Sequence, residues 1–399
     1  MYKIYCRAYQ TILKGVSNFL PWRQPELLEG KNSVEELPKL IKDREIDNVL
    51  IVTDKQLTTL GLLDGLLGGL REEEIDFVVY DGTVSNPTIN NIKEALKIYK
   101  DNKCEGIIAF GGGSPMDCAK GVGARIARPD KSISQMKGLL KIRKSTPPFF
   151  AVPTTAGTGS EATVTAVITN SSTHEKYTIN DMALIPDYAV LDPLLIVNLP
   201  PQITATTGMD ALTHAIEAYI GKSNTKETKE LSRKAVKLIF ENLTEAYSNG
   251  ENLEARENML KASYYAGVSF TRAYVGYVHA IAHTLGGFYE IPHGKANAVI
   301  LPYVLAYYGD SANKPLAELA DLIGIAKQED SNKQKAIKFI EEIKKLNDSL
   351  NIPKKIEGIN DSDIPILVER ALKEANPLYP VPKILFKNDL VNIYQLIKK

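Results

Sequence analysis

The sequence predicts a chain in two parts, an α/β part with a parallel sheet followed by an all-α part. In the first half, short apolar runs alternate with stretches of helical periodicity. From about residue 200 such runs are absent, and long amphipathic segments follow one another. Because 399 residues exceed the size of one ordinary core, we expect two domains, 1–198 and 199–399.

The strands of the first half are predicted from apolar runs without strict alternation. Such runs are typical of strands that are covered on both faces. Helical periodicity between them, as in 86–101, indicates crossover helices and therefore a parallel sheet. The predicted strands are 47–53, 76–81, 105–110, 148–153 and 187–192.

The helical half begins after the proline-rich stretch LDPLLIVNLPPQ (191–202), where Pro193, Pro200 and Pro201 interrupt regular structure. The predicted helices are 206–221, 226–248, 253–270, 273–288, 295–308, 332–349 and 362–375.

Composition bounds the possible partners and the compartment. Lys plus Arg equals Asp plus Glu at 48 each, so the formal net charge is zero and neither nucleic acid nor a membrane is an expected partner. Only three cysteines occur, and the N-terminal stretch has no continuous apolar run of the signal-peptide type. We therefore expect a cytoplasmic protein.

A glycine-rich loop, FGGGSPMDCAK (110–120), directly follows a predicted strand and opens a helix. Gly111, Gly112 and Gly113 allow close approach of a ligand, and the N–H groups of a helix N-terminus bind anions such as a pyrophosphate. Ser114 suits the N-cap, and Asp117 falls three residues after it. The alternative is a well-capped helix after a tight turn.

Two further features extend this hypothesis to a Rossmann-like dinucleotide domain of unusual order. Asp54 ends an earlier strand, and its carboxylate would bind ribose hydroxyls and repel a 2′-phosphate, which favours NAD over NADP. The loop VPTTAGTGSEAT (152–163) offers hydroxyls and N–H groups after the next strand. The alternative for Asp54 is an exposed turn residue at the end of a strand, and the alternative for the loop is a flexible turn that binds nothing.

Histidine spacing predicts a metal site in the helical half. Asp210 and His214 are four residues apart, and so are His279 and His283, with His293 ten residues later. Side chains at this spacing share one face of a helix, and a carboxylate with imidazoles suits a divalent first-row metal. Spacing predicts Asp210, His214 and two of the last three histidines, and leaves open which histidine is spare. A spare imidazole would serve as a proton carrier. The fifth histidine, His174, is expected on the surface.

With these residues assembled, the chain resembles the iron-containing (group III) alcohol dehydrogenases over nearly its whole length. The resemblance rests on motifs that occur in the family's order: TDKQLTTLGL (53–62), NPT (86–88), GGGSPMDCAK (111–120), PTTAGTGSEAT (153–163), GMDALTHAIEAY (208–219) and HAIAHTLGGFYEIPHG (279–294). It implies a dehydroquinate synthase-like architecture, with the active site in a cleft between a dinucleotide domain and a helical metal-binding domain. It also implies a homodimer or larger homo-oligomer.

The resemblance assigns roles that spacing leaves open. It implies Asp210, His214, His279 and His293 as ligands of Fe(II), with Zn(II) as the other possibility, and His283 as an uncoordinated proton relay. The resemblance also implies cofactor-binding positions, which are Asp54, Asn86, Gly113, Ser114, Thr154, Thr155, Thr158 and Lys176. We add Gly112 and Asp117, which lie in the same glycine-rich loop and helix start. The implied reaction is hydride transfer between a primary alcohol and NAD.

Some positions depart from the family pattern near the expected ligands. Arg272, Tyr274 and Tyr277 are bulkier or more charged than usual, and Thr284 replaces a proline or small apolar residue. They leave the identity of the alcohol or aldehyde open. Two other functions compete: a zinc-dependent polyol dehydrogenase on the same fold, and a non-catalytic metal- and nucleotide-binding protein, which would require a broken site.

Overall fold

The structure is a computed structural model that describes residues 1–171 and 175–399, apart from the side chain of Glu175. His174, which we expect on the surface, lies outside the described residues. The chain forms two compact units, one of residues 21–198 and one of residues 1–20 together with 199–399.

The strands all lie in the unit of residues 21–198. In chain order they are β1 (Glu26–Glu29), β2 (Asn48–Val52), β3 (Asp76–Tyr80), β4 (Gly106–Gly111), β5 (Gly138–Leu139), β6 (Phe149–Pro153), β7 (Thr165–Asn170), β8 (Glu175–Asn180) and β9 (Tyr188–Leu191).

The helices occur in both units. In chain order they are α1 (Tyr2–Ser17), α2 (Ser33–Lys42), α3 (Lys55–Thr59), α4 (Asp64–Glu72), α5 (Ile89–Asp101), α6 (Gly113–Ala127), α7 (Pro201–Ile220), α8 (Lys226–Ser248), α9 (Leu253–Ala273), α10 (Tyr277–Tyr289), α11 (His293–Tyr308), α12 (Asn313–Leu322), α13 (Asn332–Ser349), α14 (Ile364–Ala375) and α15 (Lys387–Ile397).

The main sheet has six parallel strands in the order β1-β9-β6-β4-β2-β3. Leu50 and Ile107 pack on one face with α5 and α6, whereas their neighbours Ile51 and Ile108 pack on the other face with α2 and α4. Both faces are therefore covered, which is why the central strands are apolar without alternation. The five predicted strands are confirmed as β2, β3, β4, β6 and β9, and so is the parallel sheet.

The other four strands were not predicted, and their burial explains why. Strand β1 has the sequence ELLE, and most of its residues are exposed at the edge of the main sheet. Strands β7 and β8 form an antiparallel pair in a separate small sheet with the two-residue β5. Polar and partly buried residues interrupt β7, so it has no apolar run.

The described part of the second unit is helical. Helices α7, α8 and α9 pack along one another, and α11 packs against α7, α10 and α13. The predicted helices 226–248 and 332–349 coincide with α8 and α13, while α7 begins five residues earlier than predicted, at Pro201. Helices α1, α12 and α15 were not predicted. The α/β plus all-α fold class is confirmed.

The N-terminal segment corrects the predicted domain assignment. We assigned residues 1–20 to the α/β domain, but they pack with the helical unit. The Arg7 guanidinium of α1 donates to the carbonyls of Val381 and Pro382 at 2.8 and 2.9 Å, and Gln10 donates to the carbonyl of Tyr379 at 2.7 Å. Contacts between residues some 370 positions apart leave no local pattern in the sequence.

Among the described residues, no helix combines the length and apolar character that a transmembrane span requires.

Candidate functional site

Three helices of the second unit bring the predicted metal ligands together. Helix α7 carries Asp210 and His214, α10 carries His279 and His283, and α11 begins at His293. Ligand atoms of Asp210, His279 and His293 all lie within 4.8 Å of one another. The Nε2 atoms of His279 and His293 are 3.7 and 3.5 Å from Oδ1 of Asp210. Three acceptor atoms thus surround one small volume, as a metal ion requires.

The amide of Asn297 lies at this volume. Its Nδ2 is 2.6 Å from Oδ1 of Asp210, 3.2 Å from Nε2 of His279 and 3.1 Å from Nε2 of His293. Its buried Oδ1 has no hydrogen-bond partner in the described part of the chain. The carboxylate oxygen and the two imidazole nitrogens therefore surround the positively polarised NH2 group of Asn297. The same arrangement of ligand atoms suits a divalent cation.

A buried carboxylate, Glu217, orients the ring of His279. Its Oε2 is 2.6 Å from Nδ1 of His279 and accepts the N–H of Gly276 at 2.8 Å, while its Oε1 accepts the N–H of Val278 at 2.9 Å. Because Glu217 accepts a proton-bearing Nδ1, the Nε2 of His279 is the atom directed to the metal volume. This pairing of carboxylate and imidazole is typical of protein metal sites.

Charges at the cluster are complementary. Burial raises the pKa of Asp210, but His214, His293 and His279 outweigh burial and bring that pKa below its usual range. Burial lowers the pKa of His279, but the nearby carboxylates of Asp210 and Glu217 outweigh it and raise the pKa to about 9. The two carboxylates thus stabilise a positive charge between them, which a metal ion also supplies.

His214 lies beside the cluster but outside the group of three. Its ring stacks between those of Phe270 and His279, with centroids 4.1 and 4.3 Å away. The structure therefore brings together three of the four predicted ligands and stacks the ring of the fourth, His214, against that of His279.

His283 occupies a different position from the other histidines. Its ring stacks on that of His293 at 5.1 Å, and its Nδ1 is 2.7 Å from Oε1 of Glu374. Tyr379 donates its hydroxyl to the same carboxylate oxygen at 2.8 Å. The His283 side chain is 28% exposed, whereas that of His279 is 2% exposed. His283 is thus a partly accessible imidazole with a carboxylate behind it.

A close backbone approach positions His293. The next residue, Gly294, lies against the carbonyl of Thr206 on α7, and a Cβ at Gly294 would collide with that carbonyl. A glycine here lets the start of α11 approach the helix that carries Asp210.

The predicted dinucleotide residues lie in the other unit, at the carboxyl ends of β2, β4 and β6. The chain passes from β2 to β3 on one side and from β4 to β6 and β9 on the other, so the order reverses between β2 and β4. Ligands of open parallel sheets bind at such a reversal. Asp54 follows β2, Gly111 ends β4 with Gly112 and Gly113 directly after it, and Thr154 and Thr155 follow β6.

The two small-residue loops pack directly on each other. A Cβ at Gly112 would lie 3.3 Å from Thr155, and one at Gly113 would lie 3.1 Å from Thr158. The amide of Thr154 donates to the carbonyl of Gly111 at 3.1 Å. Because glycine has no Cβ, Gly112 and Gly113 leave room for the threonines of the loop 152–163. They also leave the N–H groups at the start of α6 accessible to an anion.

The predicted N-cap was wrong. Helix α6 begins at Gly113 and its N-cap is Gly112, so Ser114 lies in the first turn. Its Oγ instead accepts the N–H of Asn86 at 3.3 Å, and Oδ1 of Asn86 accepts Nζ of Lys176 at 2.7 Å. Three predicted cofactor residues from distant parts of the chain therefore lie together.

Asp54 has a structural role that the sequence left open. It is the N-cap of α3, and its Oδ1 accepts the amides of Gln56 and Leu57 at 3.0 and 3.1 Å. A carboxylate is not required for this cap, since an uncharged acceptor serves equally well.

Asp117, which is half-buried, and the buried Lys120 lie close together on α6. Burial raises the pKa of Asp117 and lowers that of Lys120. Nζ of Lys120 donates to the carbonyls of Ser160, Thr163 and Thr165 at 2.7, 2.8 and 3.0 Å. Asp117 accepts Oγ of Ser160 at 3.4 Å. The pair therefore ties the glycine-rich helix to the second loop.

The residues that depart from the family pattern have partners in the helical unit. Arg272 pairs with Glu227. The buried hydroxyl of Tyr277 donates to Oδ1 of Asn376 at 2.8 Å. The hydroxyl of Thr284 is 2.6 Å from that of Tyr394. Tyr274 is the C-cap of α9 and has a φ of 66°, a strained value for a bulky residue. Tyr277 and Thr284 thus stabilise packing.

Four residues of these sites were missed from the sequence: Glu217, Asn297, Glu374 and Lys120. Glu217 is seven residues after Asp210 in an otherwise apolar stretch, and Asn297 is four after His293. An acid or amide on the ligand-bearing face of an apolar helix could have indicated both. Glu374 is 91 positions from its partner, so no local pattern indicates it.

Comparison with known proteins gives consistent matches. The family model of iron-containing alcohol dehydrogenase matches residues 25–193, and that of the Fe-containing alcohol dehydrogenase family, C-terminal, matches residues 204–397. The chain is 41% identical over 331 residues to 1,3-propanediol dehydrogenase of Klebsiella pneumoniae, covering 82% of this chain and 85% of that protein.

Solved structures agree with these matches. A crystal structure of 1,3-propanediol oxidoreductase superposes with a TM-score of 0.91 at 36% identity, covering 94% of this chain and 99% of the other. Sulfoacetaldehyde reductase from Bifidobacterium kashiwanohense in complex with NAD+ superposes with a TM-score of 0.85 at 29% identity, covering 95% and 98%. The chain therefore belongs to the iron-containing alcohol dehydrogenase family.

Proposed function

We propose that this enzyme interconverts a primary alcohol and its aldehyde with NAD(H), using Fe(II) held by Asp210, His214, His279 and His293. The observation that carries the proposal is the convergence of one carboxylate oxygen and two imidazole Nε2 atoms on a single buried volume. One carboxylate with imidazoles is a ligand set that divalent first-row metals accept.

The bound metal would supply Lewis acidity towards the substrate oxygen. The chain's own residues prepare the site. Glu217 keeps Nδ1 of His279 protonated and its Nε2 available, and Asp210 contributes negative charge in a buried environment. In the oxidation direction, Nε2 of His283 receives the hydroxyl proton while its Nδ1 remains bonded to Glu374.

For the dinucleotide, we propose the cluster at the carboxyl ends of β2, β4 and β6. NAD bound there would supply the hydride-transfer chemistry. The N-terminus of α6 would hold the pyrophosphate, and Asn86, Ser114 and Lys176 would contact the rest of the cofactor. Asp54 would bind the adenosine ribose and repel the 2′-phosphate of NADP.

The choice of iron over zinc rests on the family. The ligand set alone would also hold zinc, so a zinc-dependent polyol dehydrogenase is the alternative, but both matching family models are those of iron-containing enzymes. The related propanediol dehydrogenase and sulfoacetaldehyde reductase favour a short polar substrate.

Two further expectations belong to this proposal. The three cysteines are free thiols, which suits a reducing compartment such as the cytoplasm. A homodimer or larger homo-oligomer is expected from the family resemblance.

The test is an NADH-consumption screen of aldehydes, with protein stripped of metal and reconstituted anaerobically with Fe(II) or with Zn(II). We expect turnover of short aldehydes with Fe(II) and little with Zn(II), and no turnover by a similarly loaded Asp210→Asn variant. Activity on glycerol with Zn(II) alone would favour the polyol alternative. Full activity of Asp210→Asn would contradict the proposed site.

A further inference from the structure

Helix α1 has its polar and apolar faces reversed relative to an ordinary surface helix. Polar side chains face the body of the helical unit: Arg7 and Gln10 donate to carbonyls of 379–382, and Lys14 donates to the carbonyls of Lys222 and Asn224 at 3.0 and 3.1 Å. The opposite face is apolar and exposed, whereas a surface helix normally buries its apolar stripe.

Six exposed apolar and aromatic residues form one regular stripe, which we call the α1 seam, while Ile4, also exposed, lies off it. Each is between 36% and 90% exposed. The seam consists of Tyr2, Tyr5, Tyr9, Ile12, Val16 and Phe19. Successive members are spaced by three, four, three, four and three residues, which is the spacing of a and d positions along a helix that pairs with another helix. The last member, Phe19, lies two residues beyond the end of α1.

We propose that the α1 seam binds the α1 seam of a second copy of this chain, with the two helices antiparallel. The seam is symmetric about its midpoint between residues 10 and 11. An antiparallel partner therefore places Tyr2 opposite Phe19, Tyr5 opposite Val16 and Tyr9 opposite Ile12, so that every tyrosine faces an apolar side chain and each a position meets a d position.

Charge and flanking residues agree with self-pairing. Helix α1 has no acidic residue, and its cations, Lys3, Arg7 and Lys14, lie at positions remote from the seam in the heptad. On one flank Ala8 and Gly15 are small, and a Cβ at Gly15 would meet nothing within 4 Å, so a second helix could approach closely. No like charges would meet across the seam.

The seam is large enough for a specific interface. Side chains of this size and exposure offer on the order of 800 Å², about what each partner contributes to a standard-size interface. Hydrogen bonds to the body already order α1, so pairing would not have to order the helix.

A lipid surface fits less well. Helices that bind anionic membranes carry Lys and Arg beside the apolar face. Here Arg7 and Lys14 donate to carbonyls of their own chain instead. The seam lies before the first residue that a family model matches, residue 25.

The first test compares molar masses by light scattering at low micromolar concentration. We expect Tyr5→Ser/Ile12→Ser/Phe19→Ser to have half the mass of the wild-type assembly. The control, Leu139→Ser/Ile337→Ser/Ile366→Ser, removes exposed apolar side chains elsewhere and should keep the wild-type mass. Should the triple variant not fold, Ile12→Lys alone should also halve the mass. Equal masses of seam variant and wild type would overturn the proposal.

The second test determines orientation by disulfide formation. A mixture of Tyr5→Cys and Val16→Cys proteins should cross-link at least 10-fold more than either protein alone. The native cysteines are buried and give little background. Strong cross-linking of each variant by itself would contradict the antiparallel arrangement. A third measurement tests binding to vesicles of phosphatidylcholine and phosphatidylglycerol by flotation. If the wild type floats with the vesicles and the seam variant does not, while both have the same molar mass in solution, the seam binds a membrane and self-pairing is overturned.

Discussion

The buried carboxylate of Glu217 decides which nitrogen of His279 faces the proposed metal. It accepts Nδ1 of His279 and two backbone amides at the start of α10, so it fixes both the tautomer and the position of the ring. A residue that touches no metal itself would therefore set metal affinity.

We predict that Glu217→Gln lowers metal affinity about 10- to 100-fold, the usual effect of removing such a partner. The amide still accepts one bond but no longer polarises the imidazole. Metal affinity is measured by competition with a chelator. The control is Glu241→Gln, which removes the charge of an exposed glutamate on α8 and should leave the affinity unchanged. Unchanged affinity in Glu217→Gln would mean that His279 does not bind the metal through Nε2.

A second residue-scale prediction concerns His283. We expect His283→Ala to keep its metal and to lose about 100-fold in kcat, the size of a general acid–base contribution. Glu374→Gln, which weakens the bond to Nδ1, should give a smaller loss. Metal content and turnover are measured on the same samples, and loss of metal from His283→Ala would refute the relay role.

Asp54 allows charge to be separated from helix capping. Asp54→Gly should raise the NADP/NAD ratio of kcat/KM at least about 10-fold, because one close like-charge contact is removed from the 2′-phosphate. Glycine is tolerated at an N-cap, and Asp54→Asn keeps the capping acceptor while it removes the charge. Both variants should change the ratio; an unchanged ratio in both would show that Asp54 does not contact the ribose.

At the scale of elements, the sequence predicts those strands and loops whose own residues show a clear pattern of apolar or small side chains. Strands β2, β4 and β6 are apolar because both of their faces are covered, and their loops follow from adjacent glycines and threonines. Edge strand β1 and the small sheet of β5, β8 and β7 lack that pattern because they are partly exposed.

Prediction also fails where contacts join distant segments. The four-residue spacings indicated the metal cluster, but Glu374 and the docking of α1 depend on pairs separated by 91 and about 370 positions. Capping was predicted from residue type alone, and the N-cap is Gly112 instead of Ser114 because the loop turns into α6 two residues earlier than expected.

Lys120 connects α6 to the second cofactor loop and gives an element-scale prediction. Lys120→Met would leave two buried carbonyls and one partly buried carbonyl without their cation, which should cost about 3 kcal/mol of unfolding free energy. The Michaelis constant for NAD should rise more than kcat falls, since the loop that contacts the cofactor loses its anchor. Urea unfolding and steady-state kinetics measure these effects.

The control for Lys120→Met is Lys97→Met, which removes an exposed lysine paired with Asp101 on α5. An exposed pair of this kind contributes less than about 0.5 kcal/mol. If Lys120→Met were as stable as Lys97→Met, the buried hydrogen bonds would not hold the loop.

At the scale of the whole molecule, the two proposed functions are divided between the two units. The predicted dinucleotide residues lie between residues 21 and 198, and the predicted metal residues lie between 199 and 399. On this proposal each unit binds its own ligand, and each ligand should stabilise chiefly the unit that binds it.

Metal removal tests this division. Chelation should abolish activity and lower the midpoint of thermal unfolding, since metal at 100 times its Kd stabilises the folded state by about 2.7 kcal/mol. For a unit of about 200 residues this corresponds to a shift of roughly 5–10 °C. Calorimetry with and without chelator measures the shift, and adding Fe(II) back should restore both stability and turnover. Asp210→Asn should show no response to the chelator, because its site is already disabled, while NAD should still stabilise it. Full activity and an unchanged midpoint in exhaustively chelated wild-type protein would show that the convergent side chains of α7, α10 and α11 hold no catalytic metal.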